Sequence, residues 1–207
     1  FLGTNVTAGQ VNLTLNLLSK KAGKSLQLDL SSQASGLVAN LPGSTIDQAD
    51  ASLRVRGQAD DFNAIRLDEF SLQLAHQKQS VVSVSGAGSF AVKTQDADLQ
   101  TKFEASLPKL AELLDLPDFK ASAGQINFSG RVSQKNLAPA QLKNPSFDRT
   151  VTGNFKLEDF TGRYATNRFD RFAAGIDLDV AMKNQLAEIR KFAGSLRQAG
   201  QAGGDFD

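Results

Sequence analysis

The stretch Leu67-Asp68-Glu69-Phe70-Ser71-Leu72-Gln73-Leu74 (LDEFSLQL, 67–74) contains two patterns that disagree by one residue. Phe70, Leu72 and Leu74 alternate with Ser71 and Gln73, the period of a strand with one dry and one wet face. Leu67 lies three residues before Phe70, so in a regular strand the two would point to opposite sides. A single extra residue, a bulge, returns both to one side and bends the strand. The same frame recurs in LEDFTGRY (157–164) and IRKFAGSL (189–196): an aliphatic residue, two charges, Phe, then a small residue. The copies start 90 and then 32 residues apart, so they do not define a solenoid of fixed period. The phrase predicts a strand that carries a bend.

Outward from this stretch the period of two continues. VNLTLNLL (11–18) sets Val11, Leu13, Leu15 and Leu17 against Asn12, Thr14 and Asn16. SLQLDL (25–30) repeats the pattern after a lysine-rich turn at Lys20, Lys21 and Lys24 around Gly23, and ADASLRVRG (49–57) continues it. SLQLA (71–75) and VVSVSG (81–86), joined by HQKQ, read as a hairpin. DADLQTKFEASL (96–107), GQINFSGRV (124–132), TVTGNFKL (150–157) and GIDLDVAMK (175–183) follow the same rule. Such spacing predicts roughly a dozen amphipathic strands paired antiparallel, rather than a doubly wound parallel sheet.

One segment switches period. In SLPKLAELLDLP (106–117), Leu107, Leu110, Ala111 and Leu114 fall at helical intervals, with Ser106 placed to cap and Pro108 suited to the first turn. A short amphipathic helix is expected over about 107–116. NLAPAQLKNPSFDR (136–149) reads as a loop, and the tail 184–200 as a strand because it holds the third copy of the opening frame. Residues 1–207 are read as a single β-rich module. The chain starts and stops inside strand pattern, which predicts a fragment of a longer protein.

Composition removes several chemistries. Lys and Arg number 23 and Asp and Glu 22, so there is no basic footprint for nucleic acid. Without cysteine there is no disulfide and no thiolate metal site. The single histidine, His76, falls in the polar run AHQKQS and is expected on the surface of a hairpin tip. Serines abound, but a lone histidine at a hairpin tip is a poor partner for a nucleophile–base set. Asp177 and Asp179, and likewise Asp96 and Asp98, lie two apart on one side of a strand and read as solvated outer-face charges. GAG (86–88) lacks the third glycine of a dinucleotide loop and reads as a turn or bulge. NVT (5–7), NLT (12–14) and NFS (127–129) match glycosylation sequons. No enzyme, cofactor or metal is expected. No run of 18 apolar residues is present.

LPKLAELLDLPDFKASAGQINFSGRVS (107–133) resembles the AsmA-like proteins of bacterial envelopes, in which a short Leu-rich helix leads through a small-residue turn into a strand. AEIRKFAGSLRQAGQAGGDFD (187–207) and IRLDEFSLQLAHQKQSVVSVSGAG (65–88) fit the same scheme, so that about two-thirds of the chain is covered. The resemblance implies a curved, taco-like half-barrel of antiparallel strands with an apolar groove. It further implies a periplasmic location, a parent anchored in the inner membrane by an N-terminal helix, and a role in lipid transport between membranes or in outer-membrane assembly. Its expected partners are phospholipid or another lipid and neighbouring repeats of the same parent chain. The anchor helix is not in this sequence.

The residues suit that role. An amphipathic strand must cover its apolar face, and a curved sheet presents that face as a trough for acyl chains. Fourteen Phe against one Tyr and no Trp make an apolar wall with few polar atoms to satisfy. The expected wall is Leu26, Leu28, Leu53, Val55, Leu72, Leu74, Val82, Val84, Ile126, Phe128, Phe155, Leu157, Leu178 and Val180. The alternative is a structural or adhesive β-sandwich in which these residues are a sealed core. An open sheet also has unpaired edges, so self-association of this fragment is expected.

Overall fold

The computed structural model describes residues 5–41, 44–114, 118–137, 146–183, 186–199 and 201–207. In chain order the elements are β1 (Asn5–Lys20), β2 (Ser25–Leu41), β3 (Ser44–Asp60), β4 (Ala64–His76), β5 (Gln79–Ala91), β6 (Asp96–Ser106), α1 (Leu107–Leu114), β7 (Phe119–Asn136), β8 (Phe147–Tyr164), β9 (Asn167–Lys183), β10 (Leu186–Gln198) and β11 (Gln201–Phe206). All eleven strands belong to one sheet, in sequence order, each antiparallel to the next. The two outer strands, β1 and β11, do not pair with each other, so the sheet is open and curved rather than closed into a barrel. The order is a meander, the arrangement in which every pairing is local in sequence.

All three copies of the opening frame carry bulges. Across Leu67–Phe70, β4 advances three residues while β5 advances two, from Gly88 to Gly86. Across Leu157–Phe160, β8 advances three while β9 advances two, from Ala174 to Phe172, and Asp159 takes a left-handed φ of 49°. Between Ile189 and Lys191, β10 advances two against a single step of β9, from Val180 to Asp179. Leu67 and Phe70 therefore share one face, as do Leu157 and Phe160, and Ile189 and Phe192.

GAG (86–88) is neither a turn nor a bulge. These residues lie inside β5 and pair without a break against Thr101, Gln100 and Leu99 of β6; the bulge belongs to β4 across from them. The reason for glycine is steric: a Cβ at Gly86 would meet the Gln100 carbonyl oxygen of β6 first and then the Phe70 ring, with Cζ 2.9 Å away. Glycines 130 and 153 make room for the Phe128 ring in the same way, at 2.6 Å and 3.0 Å.

The helix forms where expected, with Pro108 in its first turn, and the described part ends at Leu114; residues 115–117, which include the expected end of the helix at 116, lie outside the described residues. So does 138–145, most of the expected loop. The tail is a strand, β10, as the shared frame predicts. Helix α1 touches β3, β5, β6 and β7 and seals one end of the sheet. There Leu113 packs with Ala49 and Val81, ringed by Leu37, Ile46, Leu74, Val82 and Leu110.

His76 is not a surface residue. It is buried, and its Nδ1 has no hydrogen-bond partner among the described residues. It pairs across the strands with Ala49, the residue against which Leu113 packs, so the helix roofs this end of the β4–β5 hairpin. The adjacent Gln77 and Lys78 make the exposed turn.

Candidate functional site

Residues opposite each other in neighbouring strands project to the same face, so the register assigns every strand residue a side. One row crosses the whole sheet: Leu13, Ser32, Leu53, Leu72, Val84, Phe103, Phe128, Phe155, Ile176, Gly194 and Phe206. At about 4.8 Å per strand it is about 48 Å long. A second row runs Leu15, Leu30, Val55, Phe70, Gly86, Thr101, Gly130, Gly153, Leu178 and Phe192. A third begins at Val11 and passes through Leu74, Val82, Ala105, Ile126 and Leu157; a fourth passes through Leu17, Leu28, Leu67, Leu99, Val132, Val151, Val180 and Ile189. Leu26 joins a fifth row with Ala59, Ile65, Phe90 and Ala97.

All fourteen residues expected to form the wall fall in these rows, on one face. Sequence reasoning left Phe70, Leu99, Phe103, Val132, Val151, Ile176 and Phe192 out of the wall, although they obey the same alternation. The bulges that restore phase at Phe70 and Phe192 are the signal that finds those two.

Among the described residues nothing covers most of this face. These residues form one sheet with no second layer, and the one helix among them lies over one end. Leu13 is 67% exposed, Leu72 43% and Phe128 37%. The chain exposes 13647 Å². A compact protein of 22.1 kDa exposes about 9,400 Å². The difference is the signature of a single layer wet on both sides. The α1 end and an aromatic cluster near the β8–β9 turn are packed; in the cluster, Phe160 lies 5.7 Å from Phe119 and 5.1 Å from Phe169.

The opposite face is polar and cross-linked. Arg56 bridges to Glu69 at 2.7 Å, Arg131 to Asp98 at 2.7 Å and Lys191 to Asp177 at 2.8 Å. A hollow of about 810 Å³ runs across β4–β10. Its floor is the backbone of Gly86, Thr101, Gly130 and Gly153, and its walls include Lys102, Asn154 and Asp177 on one side and Gln100, Arg131 and Asp179 on the other. The paired carboxylates lie on this outer face, and Asp96, Asp98 and Asp177 also have specific partners there. Asp177 accepts hydrogen bonds from Lys191 and Asn154, and these, in that order, hold its carboxyl below the ordinary range. Asp96 accepts the Asn136 backbone N–H at 2.7 Å and the Thr94 hydroxyl at 2.8 Å, which pins the end of β7 and lowers its pKa. One oxygen of Asp179 is buried with no hydrogen-bond partner among the described residues.

No group of three or more His, Cys, Asp or Glu able to hold a metal occurs among the described residues. No described helix is long and apolar enough to cross a membrane. The arrangement offers a broad apolar surface on one side and a salt-bridged surface on the other. No family model, curated protein or solved structure matches this chain.

Proposed function

We propose that this chain is a non-enzymatic lipid-handling module of the bacterial cell envelope, which shelters acyl chains on its apolar face. The observation that supports this reading is the five-row apolar face with no second layer over it. Exposed contiguous apolar surface of this extent marks a binding face, and each methylene removed from water contributes about 0.8 kcal/mol. The unbranched tails of a phospholipid need no directional polar partner, and these rows supply almost none. Periplasmic residence, a longer parent anchored in the inner membrane, and a role in lipid transport or outer-membrane assembly belong to the same proposal, through the AsmA-like resemblance. A closed sandwich, the rival arrangement, needs a second sheet facing these rows, and the described residues form a single sheet.

The free edges of β1 and β11 are the proposed contacts for neighbouring repeats, because an unpaired strand edge offers its backbone groups to another strand. The test of the lipid proposal is native mass spectrometry of the chain after gentle purification from bacterial cells. Phospholipid adducts are expected on the parent chain and lost from Phe128→Arg, which places a charge in the middle of the longest row. A lipid-free parent spectrum, with no lipid in the organic extract, refutes the proposal.

A further inference from the structure

Near the β8–β9 turn, on the polar face, three cations stand side by side on three consecutive strands. Lys120 of β7 is directly opposite Arg163 of β8, and Arg163 is directly opposite Arg168 of β9. Like charges in directly opposed positions repel. Several arginines elsewhere on this face are matched by acids, as in Arg56–Glu69 and Arg131–Asp98. Here the matching is missing: among the described residues none of the three is in an ion pair, and Arg171 close by is the one that engages Asp159. The three line a hollow of about 590 Å³ together with Ser122 and Thr161. The Thr161 hydroxyl accepts the Arg171 backbone N–H at 3.1 Å, which leaves its own proton to donate.

The geometry points to an anion site at Lys120, Arg163 and Arg168 that takes a phosphate-bearing ligand. The row spans about 10 Å across three strands, enough for one phosphate gripped by two guanidiniums or for a diphosphate lying along all three. Guanidinium groups suit phosphate because their fork of donors matches two oxygens at once. The site is on the opposite side of the sheet from the acyl-binding rows, so it stands or falls independently of the lipid-tail proposal. The phosphate has two possible sources, a soluble phosphate ester or an anionic lipid headgroup at a membrane surface.

Two arms separate them, both at about 0.15 M ionic strength. In the first, inorganic pyrophosphate is titrated into the chain and binding is read by calorimetry. In the second, the chain is floated with vesicles of phosphatidylcholine alone or with phosphatidylglycerol added. The expected result is saturable binding in at least one arm, weakened about tenfold by Arg163→Ser and abolished by the combined Lys120→Ser, Arg163→Ser and Arg168→Ser variant. Arg163→Lys, which keeps the charge and loses the fork, is expected to bind more weakly than the parent and more tightly than Arg163→Ser. Arg66→Ser, on the same face but in another row, keeps parent affinity, and circular dichroism confirms that each variant is folded. Binding of pyrophosphate assigns a soluble ligand; flotation only with phosphatidylglycerol assigns a headgroup. No binding in either arm, or a folded triple variant that binds like the parent, overturns the site.

Discussion

Truncating single leucines on the apolar face and under the helix separates an uncovered surface from a sealed core. Leu113 of α1 is 2% exposed and packs on Ala49 and Val81. Replacing it with Ala removes the transfer energy of the buried atoms and leaves a cavity, a loss of about 3 kcal/mol. Leu72 is 43% exposed, so only a little over half of its side chain leaves water on folding. Scaling the burial energy of a leucine by that share, with no cavity because the site is open, gives about 1–1.5 kcal/mol for Leu72→Ala. Leu13, at 67% exposed, falls to about 0.5–1 kcal/mol by the same scaling. The assay is equilibrium urea unfolding of delipidated chain, followed by circular dichroism, with the slope m compared across variants. The expected order of destabilisation is Leu113, then Leu72, then Leu13. If Leu72→Ala and Leu13→Ala each cost as much as Leu113→Ala at unchanged m, the face is covered and the argument for an open acyl-binding surface fails. Adding phospholipid extends the test: a ligand that binds only the folded chain raises its unfolding midpoint, and Phe128→Arg is expected to abolish that rise.

The bulge in the second copy of the frame makes its own prediction: Asp159 sits at φ 49°, so Asp159→Val costs about 1–2 kcal/mol while Asp159→Gly is tolerated, both read from urea midpoints. Gly86→Val drives a side chain into the Gln100 carbonyl and the Phe70 ring, and urea unfolding is expected to show a destabilisation of which the Gly86→Val, Phe70→Ala double variant relieves only the ring's share. Asp96 has a depressed pKa in the folded chain, so its contribution is present above the ordinary carboxylate value and lost as pH falls through the lower folded one. Urea titrations below about pH 4 should therefore show a shallower acid loss for Asp96→Asn than for the parent. Lys191→Met removes the main cause of the low Asp177 pKa, which is expected to rise toward its ordinary value in a carboxyl-resolved NMR titration. Light scattering of the parent chain at rising concentration is expected to show self-association through the β1 and β11 edges; strict monomer behaviour counts against strand addition there.

Much of the architecture was legible because it rests on local chemistry. Alternation in VNLTLNLL and its successors identifies strands whatever they pair with. The short HQKQ link marks the hairpin of β4 and β5, and one-sided alternation marks antiparallel pairing. The three-residue gap between Leu67 and Phe70 announces a bulge through phase alone, and the same reasoning holds at Leu157–Phe160 and Ile189–Phe192. What failed depended on remote neighbours. His76 looks exposed in AHQKQS because the helix that roofs it comes some thirty residues later. GAG looks like a turn because the Gln100 carbonyl and the Phe70 ring that demand glycine at position 86 belong to the two neighbouring strands. The partner of Asp96 was hidden as well, because the Asn136 N–H it accepts lies 40 residues away.

The order of residues along this chain was enough to say which side chains share a face, since a period of two is a property of the extended backbone and each bulge shifts it by one. It was not enough to say whether that face is shut or open. The same alternation serves a sandwich and a single curved layer equally, because both bury or present one side of every strand. Only the three-dimensional pairing decides between them. One sheet takes up all eleven strands in sequence order, α1 covers one end alone, and no other described layer meets the apolar rows. The row of unpaired cations likewise exists only through register: Lys120 and Arg163 are separated by 43 residues and meet because β7 and β8 align them.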